Sequence, residues 1–539
     1  MKRIIATITS LVSRVKAFGA LPTYSVTWGL VAIFSFWIVL DLTYLKVSSG
    51  LSQTTYDAMV KNRFLAAAPD PRLVIVDIDE ASLARMAKEF GRWPWSRDTL
   101  ASVQDFIERE EPAAIVWDIM FADPDRLSPG GDAAFNASAK RSTHSHYPVI
   151  RLPHTNDGKS QLTAEHLPTL WAQKSENKSK PSTLAVVVPF LPSVAASPLG
   201  YNNGHPDSDG ILRRYRYSEV LADGSVIQST PLSATKAISK ETAERLLSLP
   251  KNLSKDGSDA GTLIAWRKDV DAYPRIAFAD VFEKAEGGKP SASVPSFKGK
   301  VVVIGGTAPS LHDIHPTPLA SYQPGVESLA TVIDNGLNAR IVSEVPRLLQ
   351  ALIAISLCVG LAFWVRRYGI TSLDGALVVL PGALLGISYL SLNLLPIFLD
   401  LQLAAGAVLL FLATLRFWNN FRRNHWCGLT IDEAQPPDAL LVLQGQNDMI
   451  FDSTGLDALI DQLERHAPTA RVVGGDTDAA WPAKLRWPEL ACYVGVVGSI
   501  AQLQRLSDKL PKQLSVTALQ TLEQPVSRLS VVNHFFRSY

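Results

Sequence analysis

Four aspartates in the first quarter of the chain follow strand-like runs, and their spacing is the first feature that suggests chemistry. Asp77 and Asp79 lie at the end of LVIVDI and directly after it, while Asp118 and Asp123 follow AAIVW. If the two strands are neighbours in a parallel sheet, their acids converge at one edge. Converging carboxylates can bind a divalent cation or a cationic ligand, or they can raise one another's pKa for acid–base work.

The same aspartates also have a structural interpretation. Aspartate commonly caps the helix that follows a strand, and Asp79 stands directly before the amphipathic EASLARM. No nucleophile–base motif accompanies the acids, so the sequence predicts no catalytic residue. Helix capping with structural pairing, and ligand or ion binding, are the two interpretations left open.

The next segment, GRWPWSR, combines two cations with two indole rings. Pro94 favours an extended turn between Trp93 and Trp95, and Arg92 and Arg97 flank the pair. The arginines can stack on the rings or pair with the nearby acids. The segment is therefore either a packed lid over the sheet edge or part of a ligand site.

A glycine pair after a later strand, in VIGGTAPSLHD, adds Thr307 and Asp313 to the candidate ligand-binding residues. Such a loop can offer backbone N–H groups to an anion, but it matches neither nucleotide-binding glycine motif. His312, Asp313 and His315 are metal-ligand types, yet no companion cluster supports a zinc site. The sequence predicts no metal site and no cofactor.

Short Val/Ile runs alternate with helical runs around these residues, which predicts an α/β domain. Runs bounded by turns and separated by helices are typical of strands buried on both faces of a sheet. The predicted strands are LVIVDI, AAIVWDIMF, YPVIRL, LAVVVPF, TLIAW and KVVVIGG.

Length and composition place this domain in a larger protein. A chain of 539 residues is too long for one ordinary core, and a formal net charge of +1 gives no argument for a nucleic-acid partner. The mean hydropathy of +0.10 is high for a soluble protein. The three cysteines, Cys358, Cys427 and Cys492, have no spacing that suggests disulfides or zinc.

The apolar residues are concentrated in segments long enough to cross a bilayer. Positive residues flank the cytoplasmic side of spans, so Arg366–Arg367 and the arginines from Arg416 to Arg423 are both predicted to lie inside, with two crossings between them. Four spans are predicted, at 25–45, 347–366, 372–392 and 397–416. They leave residues 1–24 and 425–539 in the cytoplasm and residues 46–345 outside.

The separated motifs resemble a known family. VDIDEASLA, GRWPWSR, AAIVWDIMFADPD, GYNNGHPDSDGILRRYRY, FKGKVVVIGGTAPSLHDIHPTPLA and QPGVESLATVIDNGL occur in the order found in CHASE2 domains. The resemblance covers residues from about 50 to 340 and implies an extracytoplasmic sensory module of bacterial membrane receptors. It also implies one span before the domain, three after it, and a cytoplasmic output module.

The C-terminal segment departs from that family pattern, in which cyclases and kinases are typical outputs. Only about 115 residues follow Arg423, and kinase signatures are missing from them. GGDTD, at 474–478, differs from the diguanylate cyclase motif at its last two positions and is predicted to be a turn. We expect a small α/β domain with a β-α-β…β-α order that binds a partner protein.

The sequence thus predicts a multi-pass sensor of the bacterial inner membrane, with a non-catalytic adaptor domain inside. Expected partners are the lipid bilayer, an unknown periplasmic ligand or protein, a cytoplasmic signalling protein, and a second copy of the chain or a larger complex. A signalling enzyme with a divergent C-terminal domain, and a structural subunit of a membrane complex, are the alternatives.

Overall fold

A computed structural model describes residues 21–125, 128–174, 183–249, 261–373, 375–427, 436–445, 453–473, 493–510, 514–523, 526, 530–531 and 533–535. These residues belong to two compact units. The helical unit comprises the described parts of Met1–Ser52, Pro346–Ile387 and Asp400–Tyr539. The α/β unit comprises the described parts of Gln53–Val345 and Ser388–Leu399.

The helices, in chain order, are α1 (Thr23–Leu40), α2 (Val47–Lys61), α3 (Glu80–Phe90), α4 (Arg97–Arg109), α5 (Pro129–Arg141), α6 (Pro192–Ala196), α7 (Thr230–Ile238), α8 (Lys240–Leu247), α9 (Phe278–Ala285), α10 (Gly325–Leu337), α11 (Arg347–Tyr368), α12 (Ala376–Leu394), α13 (Gln402–Trp426), α14 (Ser453–His466) and α15 (Ile500–Ser507). A π-helical turn, Asp41–Leu45, extends α1.

The strands, in chain order, are β1 (Leu73–Ile78), β2 (Ala114–Trp117), β3 (Ser145–Arg151), β4 (Trp171–Gln173), β5 (Val186–Val187), β6 (Leu199–Tyr201), β7 (Arg214–Tyr215), β8 (Ser218–Val220), β9 (Val226–Gln228), β10 (Thr262–Ile264), β11 (Arg275–Ala277), β12 (Val301–Gly306), β13 (Ile314–His315), β14 (Gln323–Pro324), β15 (Ile341–Glu344), β16 (Ile397–Phe398), β17 (Ala439–Gly445), β18 (Arg471–Val473), β19 (Tyr493–Gly498) and β20 (Leu514–Thr521).

A central sheet organises the α/β unit, with strand order β11-β1-β12-β2-β3-β5 and β6 beside β3. The neighbours from β11 to β3 run parallel. Every residue of β1 is buried, as its apolar run, interrupted only by Asp77, predicts for a strand covered on both faces. Residues from α3, α4 and α9 pack on one face, and residues from α7 and α10 pack on the other.

Two of the predicted strands differ from expectation. TLIAW contributes β10, which pairs antiparallel with β7 and β15 in a separate sheet and not with the central one. LAVVVPF contributes only the two-residue β5, which runs antiparallel to β3 at the sheet edge. Short Val/Ile runs indicate a strand but not the sheet to which it belongs, because that depends on pairing far along the chain.

Among the residues that the structure describes, four helices are long and apolar enough to cross a membrane: Thr23–Leu45, Arg347–Tyr368, Ala376–Leu394 and Gln402–Trp426. Each overlaps one of the predicted spans, but α13 begins five residues later and ends ten residues later than predicted, at Gln402–Trp426 instead of 397–416. The extension carries Arg422 and Arg423, which form salt bridges with acids of α14. Between α12 and α13, β16 pairs with β15 at residues 397–398, where the sequence predicted the start of the fourth span.

A four-stranded antiparallel sheet, in the order β18-β19-β17-β20, forms the C-terminal part of the helical unit. With α14 and α15 it follows the chain order β-α-β-β-α-β of the split βαβ arrangement. The predicted order of the first five elements agrees with this fold. The fourth strand, LSVTALQT, was not predicted, and GGDTD lies outside the described residues.

Candidate functional site

The carboxyl ends of β1, β12 and β2 form the edge at which the acidic residues meet. β12 lies between β1 and β2, so the two acid-bearing strands are not neighbours. Asp77 is the register partner of Gly305, and the Asp118 N–H donates to the Ile304 carbonyl oxygen at 2.8 Å. Asp77, Gly305 and Asp118 therefore lie side by side at one level of the sheet.

Gly305 allows α10 to begin close to this edge. A Cβ at Gly305 would lie 2.8 Å from Cγ2 of Val326 and 2.9 Å from Cβ of Asp118. Such distances are shorter than van der Waals contact, so any side chain here would push α10 or β2 away. Asp77 and Asp118, on either side of Gly305, have different hydrogen-bond partners: Thr307 for Asp77 and Asn202 for Asp118.

Asp77 is bound by the loop that follows β12. The Thr307 N–H and hydroxyl donate to its carboxylate at 3.1 and 2.7 Å, so two predicted site residues are in direct contact. The sequence suggested that this glycine loop offers N–H groups to an anion. In the structure one such anion is the chain's own Asp77, and another is Glu80, which accepts from the Ser310 N–H at 3.0 Å.

Glu327, in the first turn of α10, is a buried acid that the sequence did not single out. Its Oε1 accepts from Nε of Arg275 at 2.7 Å, while its Oε2 has no hydrogen-bond partner among the described residues. Burial raises the pKa of Glu327 to about 7, and burial also raises the pKa of Asp77. A glutamate within the apolar VESLATVI was the available signal.

Asp118 and Asp313 line a cavity on the other side of Gly305, together with Asn202, Gly204, Leu212, Tyr215, His315, Gly325, Ser328, Leu329 and Val332. The Asn202 amide donates to Asp118, and Nε2 of His315 lies 3.4 Å from the Asp313 carboxylate. Burial, and then the charge of Asp313, raises the pKa of Asp118 to about 7. The hydrogen bond to Asp313 raises the pKa of His315.

A comparison with known protein families identifies the family of this chain. The model of the CHASE2 domain matches residues 31–365, more than half of the chain. The chain belongs to the CHASE2 family. No curated protein and no solved structure matches it. CHASE2 is an extracytoplasmic sensor domain of signalling proteins, so the α/β unit has a sensory role.

Asp79 in this CHASE2 domain caps a helix, as one of the two interpretations predicted. Its carboxylate accepts from the Ser82 N–H at 2.7 Å, at the start of α3. A side-chain cap of this kind satisfies a backbone donor that the first helical turn leaves free. Asp79 is thus part of the scaffold that follows β1.

The GRWPWSR segment of the CHASE2 domain packs against α9 and α5. Trp95 is buried against Phe278, with ring centroids 5.2 Å apart, and Trp93 meets Trp95 edge to face at 5.1 Å. Arg97 forms a salt bridge with Asp132, and its guanidinium lies 5.7 Å from the Phe121 ring centre. These contacts are those of a packed lid.

The remaining candidates are exposed. The side chains of Arg92 and Asp123 face solvent, and the Asp123 backbone carbonyl accepts from Arg97. Arg97 pairs with an acid, but with Asp132 and not with Asp77 or Asp79. Within the described ranges, His, Cys, Asp and Glu form no group of three or more placed to hold a metal ion. The structure therefore brings together Asp77 with Thr307, and Asp118 with Asp313.

Proposed function

We propose that this CHASE2 protein is a multi-pass receptor of the bacterial inner membrane, which passes an extracytoplasmic signal to an adaptor domain in the cytoplasm. The α/β unit would lie in the periplasm, with both chain termini inside. Arg366 and Arg367 at the end of α11, and Arg416 to Arg423 in α13, support this orientation through the positive-inside rule.

The last apolar helix continues into the C-terminal domain, which supports a mechanical relay. Arg422, 1% exposed, pairs with Asp461 and Glu464 of α14. Arg423 and Asn419 both donate to Asp457, at 2.7 and 2.9 Å. Trp426 packs in the same apolar core as Ala439 and Leu441 of β17. These contacts support the proposal that a movement of the end of α13 would act directly on this domain.

One residue carries the proposal, because it contacts the first and the last apolar helix at once. Glu464 accepts from the Thr23 N–H at 3.3 Å, at the start of α1, and from Nε of Arg422 at 2.7 Å, near the end of α13. A shift of α1 against α13 must break or re-form one of these contacts. A two-state arrangement of packed helices can transmit a signal in this way.

The adaptor domain would present its surface to a cytoplasmic signalling protein, and the receptor would act as a homodimer or within a larger complex. The split βαβ arrangement supports a compact domain. It does not indicate an activity, because one fold serves many functions. The proposal therefore rests on the coupling through Glu464 and on the sensory family.

The experiment reconstitutes the full chain in liposomes with the α/β unit facing outward. Orientation is checked with cysteines introduced at the exposed Asp123 and Glu523, in a chain whose native cysteines are replaced by serine. An impermeant maleimide should label D123C only. The outside pH is then lowered from 8 to 6, which protonates groups with a pKa near 7, and hydrogen exchange of Ser453–His466 is measured.

We expect the exchange of Ser453–His466 to change in the wild type, and E464Q to lose at least half of that change. E523Q, at an exposed glutamate of the same domain, should behave as the wild type. Labelling of D123C and E523C from one side would contradict the topology. A response that is absent in the wild type, or equal in E464Q, would contradict the relay.

A further inference from the structure

The cavity beside Gly305 contains a carboxylate whose charge is not balanced. Asp118 accepts a hydrogen bond from the neutral Asn202 amide, and within the described ranges it forms no salt bridge with lysine or arginine. Asp118 is half-buried, and a carboxylate largely withdrawn from water is ordinarily paired, bound to a cation or neutralised by a proton. A positive partner or a proton would therefore stabilise Asp118.

Ser328 provides a second and independent indication of a ligand. This residue of α10 is 4% exposed and lines the same cavity, and its hydroxyl has no hydrogen-bond partner among the described residues. Leaving a buried hydroxyl unpaired is costly, so such groups usually have a partner. A ligand with hydrogen-bond donors would satisfy Ser328 and Asp118 together.

The charge of the second aspartate is already offset, which sets the expected charge of the ligand. The Asp313 carboxylate lies at the N-terminus of α10, 2.4 Å from where a Cβ on Gly325 would be, and near Nε2 of His315. Helix N-termini and histidine both stabilise a carboxylate. An anion would face two carboxylates, whereas a single positive charge matches the unpaired one.

The remaining walls favour an organic cation over a metal ion. Leu212, Leu329 and Val332 supply apolar surface, and a group of three metal-ligand side chains is missing from the described residues. The cavity holds about 70 Å³ for water-sized groups, where one water needs roughly 10–15 Å³. This space suits a ligand of a few heavy atoms with one polar end.

We propose that this cavity binds a small primary ammonium compound, whose ammonium group donates to Asp118 and Ser328 while its carbon atoms contact Leu212, Leu329 and Val332. The inference rests on the proposed sensory function and adds the class of ligand. Asn202 would hold the Asp118 carboxylate in place, as a positioning residue.

The test measures binding by the detergent-solubilised full chain at pH 8, without any signalling readout. Ethanolamine is titrated by calorimetry, and the midpoint of thermal unfolding is followed in parallel. We expect saturable binding and a rising midpoint. D118N should weaken binding at least about 30-fold, and S328A about five- to tenfold, from the loss of a charged and an ordinary hydrogen bond. D123N should change it less than about twofold.

Three results would overturn the proposal. The first is no saturable binding of ethanolamine, and the second is binding of ethanolamine by both D118N and S328A as tight as by the wild type. The third is stabilisation by calcium chloride but not by ethanolamine. S328A keeps the test informative if D118N does not fold. Binding without a response of Ser453–His466 would reject the relay and retain the ligand site. A relay response to outside pH without ethanolamine binding would reject the ligand site alone.

Discussion

Arg213 and Asp118 lie in the same α/β unit, each within a group of aspartates, but the charges of the two groups are balanced differently. Arg213 is 1% exposed and forms salt bridges with Asp57, Asp207 and Asp209 at 2.6 to 3.0 Å. Its neighbour Arg214 adds a second cation, paired with Asp207 and Glu344. Every acid in this group has an arginine.

The acids of the Arg213 group are paired with cations. Asp118 instead accepts from the neutral Asn202 amide and faces a cavity with apolar walls. A buried ion pair with good geometry fixes the positions of the segments that carry it, whereas an unpaired carboxylate only destabilises the folded state. The Arg213 group is scaffold because each of its acids is paired with an arginine. Asp118 has no arginine or lysine partner among the described residues and lines a cavity, so it belongs to the candidate site.

The largest expected effect comes from removing the cation of the balanced group. R213M removes a buried guanidinium and its five charge-assisted hydrogen bonds to Asp57, Asp207 and Asp209, and this should lower the free energy of unfolding by about 3 kcal/mol. Guanidinium unfolding of the detergent-solubilised full chain, followed by tryptophan fluorescence, measures the change.

The matched control is R245M, because the Arg245–Glu241 pair is exposed on α8. Exposed pairs contribute about 0.2–1 kcal/mol. If R213M costs no more than R245M, the Arg213 group is not the scaffold that its geometry indicates.

A smaller, pH-dependent effect should distinguish Asp118. Its pKa is raised in the folded state from 3.8 to about 7, so the folded chain binds a proton over this range that the unfolded chain has released. Stability contributed by this proton is therefore lost as the pH rises from about 4 to 7. The slope for one group is at most about 1.4 kcal/mol per pH unit.

Because Glu327 and His315 shift in the same direction, the prediction concerns a difference between variants. Stability relative to D118N should fall as the pH rises from 5 to 8, measured by thermal unfolding in the absence of amines. The stability of D123N should depend on pH in the same way as that of the wild type. A constant difference between wild type and D118N would show that Asp118 is paired in solution.

Local features of this fold could be predicted from the sequence, because they depend on residues close together in the chain. The buried runs of β1 and β12, and the Asp79 cap, are confirmed. Arg213 and Arg214 stand close in the sequence to Asp207 and Asp209, whereas their partners Asp57 and Glu344 lie far away in it.

The site itself required the structure. β12 enters between β1 and β2 from more than 180 residues further along the chain, and Val/Ile runs do not encode strand order. Glu327 and Ser328 are polar residues inside an apolar helix, and periodicity alone did not mark them as candidates. The strand LSVTALQT was missed because only its first residue, Leu514, is buried, and the strand is held by backbone pairing with β17.

The smallest expected effect compares two buried serines. Ser138 accepts from the Gln104 amide at 2.9 Å and donates to Asp105 at 2.6 Å, whereas the Ser328 hydroxyl has no partner among the described residues. S138A leaves the buried Gln104 amide without its acceptor and removes a hydrogen bond to the half-buried Asp105, which should cost about 1–3 kcal/mol. S328A breaks no hydrogen bond and removes an unpaired buried hydroxyl, so it should not lower the free energy of unfolding. Both are measured in guanidinium without added amines. A cost above about 1 kcal/mol for S328A would mean that the hydroxyl already has a partner in solution. The polar groups of the cavity would then be satisfied without a ligand, as the acids of the Arg213 group are.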